Sequence, residues 1–282
     1  MYPENVVSTL KTEIANLLPQ VRSRVPLVHH ITNYVTVNDC ANMTLAVGAS
    51  PVMADSIHEV KDMVSIASAL VINTGTLNEA TVASMRVAAK QAKAKGIPLV
   101  LDPVGAGATP YRTETVHQLL QQASVSVIRG NLSEIKVLAG LDEQTRGVDA
   151  ATVFDAGSNR QAMQVFVKDM ARKLNAVIAI TGAVDVISDG MRVCFIENGR
   201  PEMSRVTGTG CMCSSLVGAF LSVTDDAFLA AVAAVACMGI AGEIAHDNLQ
   251  KQEGNASYRN RIIDAVYNLT ADQVTEKGRL KW

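Results

Sequence analysis

The 282-residue chain is poor in aromatic side chains (4%), has one tryptophan, and carries almost no net charge, with 25 Lys+Arg against 27 Asp+Glu for a formal −2. So weak a balance supplies no field for nucleic acid or anionic lipid. The few aromatics leave no stacking platform for single strands, so no nucleic-acid partner is expected. There is no C-x-x-C and no H-E-x-x-H, which removes a structural zinc site. The five cysteines (Cys40, Cys194, Cys211, Cys213, Cys237) are odd in number, and Glu4 and Glu13 stand where a secretion signal would be basic and then apolar. Both features predict a cytoplasmic protein with reduced thiols. The longest uncharged apolar run, 227–242, falls short of the roughly 20 residues that span a bilayer. It reads as a buried core helix, and no membrane partner is expected. The P-loop is missing because no glycine precedes a lysine, and G-x-G-x-x-G fails where Gly105-x-Gly107 continues to Pro110.

What is present is a regular alternation. With 48% hydrophobic and 18% charged residues, the composition is that of a folded α/β chain. Apolar spacing predicts helices over 4–19, near 39–47, and over 78–95, 113–122 and 159–174. Short apolar runs at 69–73, 97–101, 125–128 and 176–180 predict buried strands. Strand–helix–strand with short connections predicts a mostly parallel central sheet flanked by helices. The segment 29–33 reads as a polar stretch, and His29 and His30 lack metal-ligand spacing to any other histidine. Asp189-Gly190, between 184–188 and 191–197, is a hairpin signal that adds two antiparallel strands at the edge. From Gly210 to the end the pattern is helical. The polar stretch 142–160 sits between consecutive units like a loop, and the whole chain, 1–282, reads as one domain.

In an open parallel sheet, ligands bind outside the carboxyl ends of the strands. Those ends are Asn73-Thr74-Gly75, Asp102-Pro103, Arg129-Gly130-Asn131 and Thr181-Gly182. Each has a plain alternative as turn or cap, but four together predict a site at this edge. The most informative stretch is Val206-Thr-Gly-Thr-Gly-Cys211 before an apolar helix. Such a helix start presents unpaired N–H groups and partial positive charge suited to phosphate, or else the glycines only make a tight turn. Cys211, at that start, is open to two readings: a thiol of lowered pKa or a small buried hydrophobe. Asn131 and Glu134, one turn apart, either hold Mg²⁺ through water, with Asp102 as second carboxylate, or form a helix cap.

These residues carry a family resemblance. Val28-His-His-Ile-Thr-Asn33, Gly48-Ala-Ser-Pro-Val-Met-Ala54, Leu101-Asp-Pro-Val-Gly-Ala-Gly-Ala-Thr109, Ile128-Arg-Gly-Asn131 with Glu134, Ile180-Thr-Gly182 and Val206-Thr-Gly-Thr-Gly-Cys211 occur in order along nearly the whole chain. In these the chain resembles the hydroxyethylthiazole kinases of the ribokinase-like superfamily. The resemblance implies a single-domain ribokinase-like fold and phosphorylation of the hydroxyethyl group of 4-methyl-5-(2-hydroxyethyl)thiazole by ATP and Mg²⁺, in thiazole salvage for thiamine. It implies that Met53, Gly208 and Asn33 bind the thiazole and that Arg129, Thr181, Gly182 and Asn131 serve ATP. Asp102 and Glu134 would then serve the metal, and Thr209, Gly210 and Cys211 the catalytic turn. A homotrimer with the active site at the subunit interface is implied as well. Hydroxymethylpyrimidine or pyridoxal kinases and the ADP/ATP-dependent NAD(P)H-hydrate dehydratase are the alternatives on this fold, but they normally carry aspartate where Cys211 stands. A non-catalytic nucleotide sensor is the third.

Overall fold

The computed structural model describes residues 4–140 and 159–282; the loop expected at 142–160 lies almost wholly outside the described residues. Nine strands form one sheet in the order β2-β1-β3-β4-β5-β6-β7-β8-β9. Strands β1 (Leu27–Ile31), β2 (Ser50–Val52), β3 (Ala69–Asn73), β4 (Leu99–Asp102), β5 (Val127–Gly130) and β6 (Val177–Ile180) pair in parallel. Strands β7 (Asp185–Ser188), β8 (Val193–Ile196) and β9 (Leu280–Lys281) add on antiparallel. One face packs against α1 (Glu4–Arg24), α2 (Val37–Val47), α8 (Thr209–Leu221), α9 (Ala227–Asp247), α10 (Asn255–Asn268) and α11 (Ala271–Lys277). The other packs against α3 (Val60–Ile66), α4 (Glu79–Lys95), α5 (Pro110–Gln122), α6 (Leu132–Leu138) and α7 (Arg160–Leu174).

Strand alternation sorts side chains by size between the two faces. Ala69, Val71 and Val100 point to the first, Leu70, Ile72, Leu99 and Leu101 to the second. The small set lets α8 lie close to the sheet: a Cβ on Gly218 would stand 2.6 Å from Val71 Cγ2. Helix α9 is apolar on every side from Ala227 to Gly242, as a helix enclosed by its neighbours must be. At 21 residues it is long enough to cross a bilayer, longer than the uncharged run suggested, yet 78% of its apolar window is buried within the protein. The helix starts follow local chemistry: Asn78, Thr109 and Asn159 each accept an N–H three residues on.

Three expectations change. The stretch 29–33 read as polar is mostly strand β1, where both histidines are fully buried. His30 is satisfied by Val28 O and Thr44 Oγ1, and burial pushes its pKa down to about 4, so it is a neutral core group. Strand β2 and helix α3 escaped the pattern because they are short, 3 and 7 residues. The chain does not end in helix, since β9 extends the antiparallel edge beyond the predicted hairpin.

Candidate active site

Parallel pairing brings the carboxyl ends of β1, β3, β4, β5 and β6 to one edge of the sheet, and in-register pairing sets Asn73 beside Asp102. A buried polar cluster forms there. Asn33, just after β1, accepts from the backbone N–H and the hydroxyl of Thr36 (3.1 and 3.0 Å). Its amide donates to Asn73 Oδ1 at 3.0 Å, and Asn73 in turn donates to Asp102 Oδ2 at 2.9 Å. Ser214, one turn into α8 beyond Cys211, donates to the same oxygen at 2.7 Å. Both amides also donate to Cys211 Sγ at 3.3 Å.

The turn 206–211 opens α8. Gly208 takes the left-handed conformation (φ 87°) at the helix start, and a Cβ there would lie 2.5 Å from Thr36 Cγ2. The first helical bond runs from Met212 N to Gly208 O, so the N–H groups of Thr209, Gly210 and Cys211 precede the intrahelical ladder. The thiol at this start does not have the lowered pKa that one reading allowed. Burial raises it, the nearby Asp102 charge raises it further, and the hydrogen bonds from Thr36 and Asn33 and the Arg129 charge only partly offset this. Cys211 is a neutral thiol that accepts hydrogen bonds.

Arg129 crosses from β5 toward this turn. It donates to Thr181 Oγ1 at 2.6 Å and lies 3.5 Å from both oxygens of Asp102. A Cβ on Gly210 would stand 2.5 Å from Arg129 Nη1, so only glycine lets the guanidinium come this close to the helix start. Burial opposes the arginine's charge, but Asp102 and Glu134 outweigh it and hold it cationic. Its Nε is buried with no hydrogen-bond partner among the described residues. Beyond Thr181, Gly182 N–H donates to Asp185 Oδ1 at 2.9 Å. Burial pushes that carboxyl up to about 7, against the Gly182 bond and the Arg129 charge.

Asn131 and Glu134 form a capping box on α6: Asn131 Oδ1 accepts Glu134 N–H (2.9 Å) and Glu134 Oε2 accepts Asn131 N–H (2.8 Å). Glu134 Oε1 accepts Gly105 N–H as well, at 2.9 Å. Each oxygen thus uses one lone pair on backbone and keeps another. Burial raises the Glu134 pKa, with the two backbone bonds opposing. Among the described residues no three His, Cys, Asp or Glu side chains form a metal cage. The donor set nevertheless fits Mg²⁺, which keeps much of its water and needs only one or two carboxylates, because Asp102 Oδ1 has a single long contact to Arg129.

Of the predicted residues, Asn33, Asp102, Arg129, Thr181, Cys211 and the glycine turn converge. Glu134 and Asn131 sit on the flank. Met53 stands apart, partly exposed after β2 at the sheet's outer strand, with the next carbonyl, Ala54 O, held by His29 Nε2 at 2.6 Å. Sequence reasoning placed Asn73 at this edge without its link to Asp102, and it missed Ser214, Thr36 and Asp185 as members. Aligning the ends of β3 and β4 would have shown the Asn73–Asp102 link, and helical spacing from Cys211 would have found Ser214. A cavity of about 440 Å³ lies at the opposite, amino end, between Ser68, Lys93, Ser126, Ser222 and Asp225, and none of the residues above lines it.

The chain matches the model of the hydroxyethylthiazole kinase family over residues 18–272. It is 50% identical over 272 residues to the hydroxyethylthiazole kinase of Clostridium beijerinckii, covering 96% of this chain and 98% of that one. The solved structure of a hydroxyethylthiazole kinase protein from Pyrococcus horikoshii OT3 superimposes with a TM-score of 0.84 at 38% identity, covering 95% and 98% of the two chains. A ribokinase-like superfamily protein from Enterococcus faecalis, 12% identical over 87% of this chain and 88% of its own, shares the fold with a TM-score of 0.60.

Proposed function

The chain belongs to the hydroxyethylthiazole kinase family, and from that premise we propose that it transfers the γ-phosphoryl group of ATP to the hydroxyethyl group of 4-methyl-5-(2-hydroxyethyl)thiazole, in thiazole salvage for thiamine. The observation that carries this reading is the junction of Arg129 with the start of α8. A cation and the N–H groups of a helix start meet over Asp102, the combination that phosphoryl transfer requires. Whole-length similarity favours this acceptor over those of the pyridoxal kinases and the hydrate dehydratase.

In this reading Arg129, steadied by Thr181, binds phosphate oxygens with the Gly182 turn beside it, and the amides of Thr209, Gly210 and Cys211 face the group in transfer. Asn131 belongs to the nucleotide side through the α6 start. Asp102 and Glu134 would hold Mg²⁺, whose charge offsets that of the phosphates. Asn33, Gly208 and Met53 form the thiazole pocket. A neutral Cys211 thiol is a weak base, which suits a loose transition state that demands little activation of the alcohol.

The homotrimer that the resemblance implies would give Met53 a role: Tyr34, Val35, Leu45 and Ile57, close in sequence to β1 and the edge strand β2, are exposed apolar side chains. Five free cysteines suit a cytoplasmic setting. We read residues 1–282 as one kinase domain. ADP release with and without the thiazole alcohol, with hydroxymethylpyrimidine and pyridoxal as competitors, tests the reaction. Turnover dependent on the thiazole supports it, and turnover on another alcohol alone refutes it. Light scattering tests the trimer.

A further inference from the structure

The amide cluster has a direction. Asn73 Oδ1 accepts from the backbone N–H of Gly75 at 2.9 Å, as well as from Asn33. A backbone N–H cannot accept, so the Asn73 amide has one orientation, with both of its hydrogens turned toward Asp102 and Cys211. Asn33 is fixed in the same way by the N–H of Thr36. A single chain of donors therefore runs from the start of α2 through Asn33 and Asn73 and ends on the Asp102 carboxylate.

That end is asymmetric. Oδ2 of Asp102 takes the short bonds from Asn73 and Ser214, at 2.9 and 2.7 Å. Oδ1 has only the 3.5 Å approach of Arg129. The carboxylate is pinned through one oxygen, and the other keeps only the long Arg129 contact among the described residues. Hydrogen bonds from an N–H to a charged oxygen are the strong kind, and here the donor is a side chain only 1% exposed.

We propose that Asn73 is a positioning residue for phosphoryl transfer, the donor that fixes which oxygen of Asp102 faces the reacting groups. This rests on the kinase reading, and it goes beyond it by assigning a role to a residue outside the proposed thiazole and nucleotide sets. Asn33 keeps both of its bonds from Thr36 when Asn73 is changed, so the thiazole side stays anchored and the effect appears in kcat.

The test compares Asn73→Ala with Asn73→Asp in the full-length enzyme, assayed with ATP, Mg²⁺ and hydroxyethylthiazole. Aspartate has the shape of asparagine and keeps the acceptor for Gly75 and Asn33, but it sets a second carboxylate oxygen where the donor to Asp102 was. The expected result is a fall in kcat of about 10- to 100-fold for Asn73→Ala and a larger fall for Asn73→Asp. KM for both substrates stays near that of the unmodified enzyme. A residue needed only for packing gives the reverse ranking, and kcat for Asn73→Asp equal to or above that of Asn73→Ala overturns the proposal. A double-mutant cycle guards against a variant that folds poorly. In an Asp102→Ala background, Asn73→Ala should cost little of the residual rate, whereas an undiminished loss there means the two act independently and also overturns it. Turnover by the unmodified enzyme, measured first, tests the kinase reading separately, and the variants are read as ratios to it.

Discussion

Where β1 and β3 end, the polar groups are the neutral amides of Asn33 and Asn73, each donor aimed at an acceptor and each orientation fixed by a backbone N–H. Where β5 and β6 end, one guanidinium stands near three carboxyl groups, Asp102, Glu134 and Asp185, with its Nε unpartnered among the described residues. The first region is satisfied internally and holds a geometry. The second retains donors and charge for something that arrives from solution. Substitutions in the amide half should therefore appear in kcat, and those in the arginine half in the affinity for ATP.

The largest effect belongs to Arg129. Arg129→Ala should lower kcat/KM for ATP by about 10²- to 10³-fold, and Arg129→Lys should not restore it, because an ammonium lacks the flat fork that reaches Thr181 and the turn together. A loss below tenfold in steady-state kinetics would break the contrast between the halves. Gly210→Ala comes next. The new methyl meets only the tip of the Arg129 side chain, and alanine is a good helix former, so thermal stability holds while KM for ATP rises. A fall in kcat with KM for ATP unchanged would assign Gly210 to the other half.

Cys211→Ala should retain kcat to within about tenfold, well inside the roughly 10²- to 10⁴-fold contribution of a general base. The thiol is held neutral by burial and by Asp102. A loss of about 10³-fold with ATP binding intact would make it the base.

The smallest effect is one of stability. An aspartate ionises near pH 4 in an unfolded chain, whereas buried Asp185 does so at about 7. Its raised pKa means the folded state holds the proton over that interval, so stability is lost as pH rises from about 4 through 7. An asparagine side chain at this position would keep the acceptor for Gly182 without the charge. Asp185→Asn should therefore raise the Tm at pH 8 and raise it much less at pH 5. Equal gains at both would mean the charge is already compensated by Arg129.

How far the sequence could be read follows from what each signal contains. Periodicity located the long helices and the buried strands, because burial acts on every residue of those elements. It missed β1 because His29 and His30 look polar in a string and become neutral core groups only once a strand and Thr44 enclose them. The strand ends named the right edge and the right charged residues. Asn73 was visible as part of a turn, but its partnership with Asp102 depends on the register between two strands 29 residues apart, and no local pattern contains that. Asn131 and Glu134 were open between metal binding and capping. The capping box is present, and it leaves lone pairs for the other role.

The packing of α8 on the sheet has a mechanical consequence. Gly218, against Val71, lies eight residues beyond Gly210, about 12 Å along the helix axis. The helix works as a lever whose fulcrum is that contact. Enlarging residue 218 by one methyl should tilt or lift the rod, with the displacement expected at its far end, at the amides of Thr209, Gly210 and Cys211. On the reading proposed above, in which those amides face the group in transfer, nucleotide affinity depends in part on a contact deep in the hydrophobic interior.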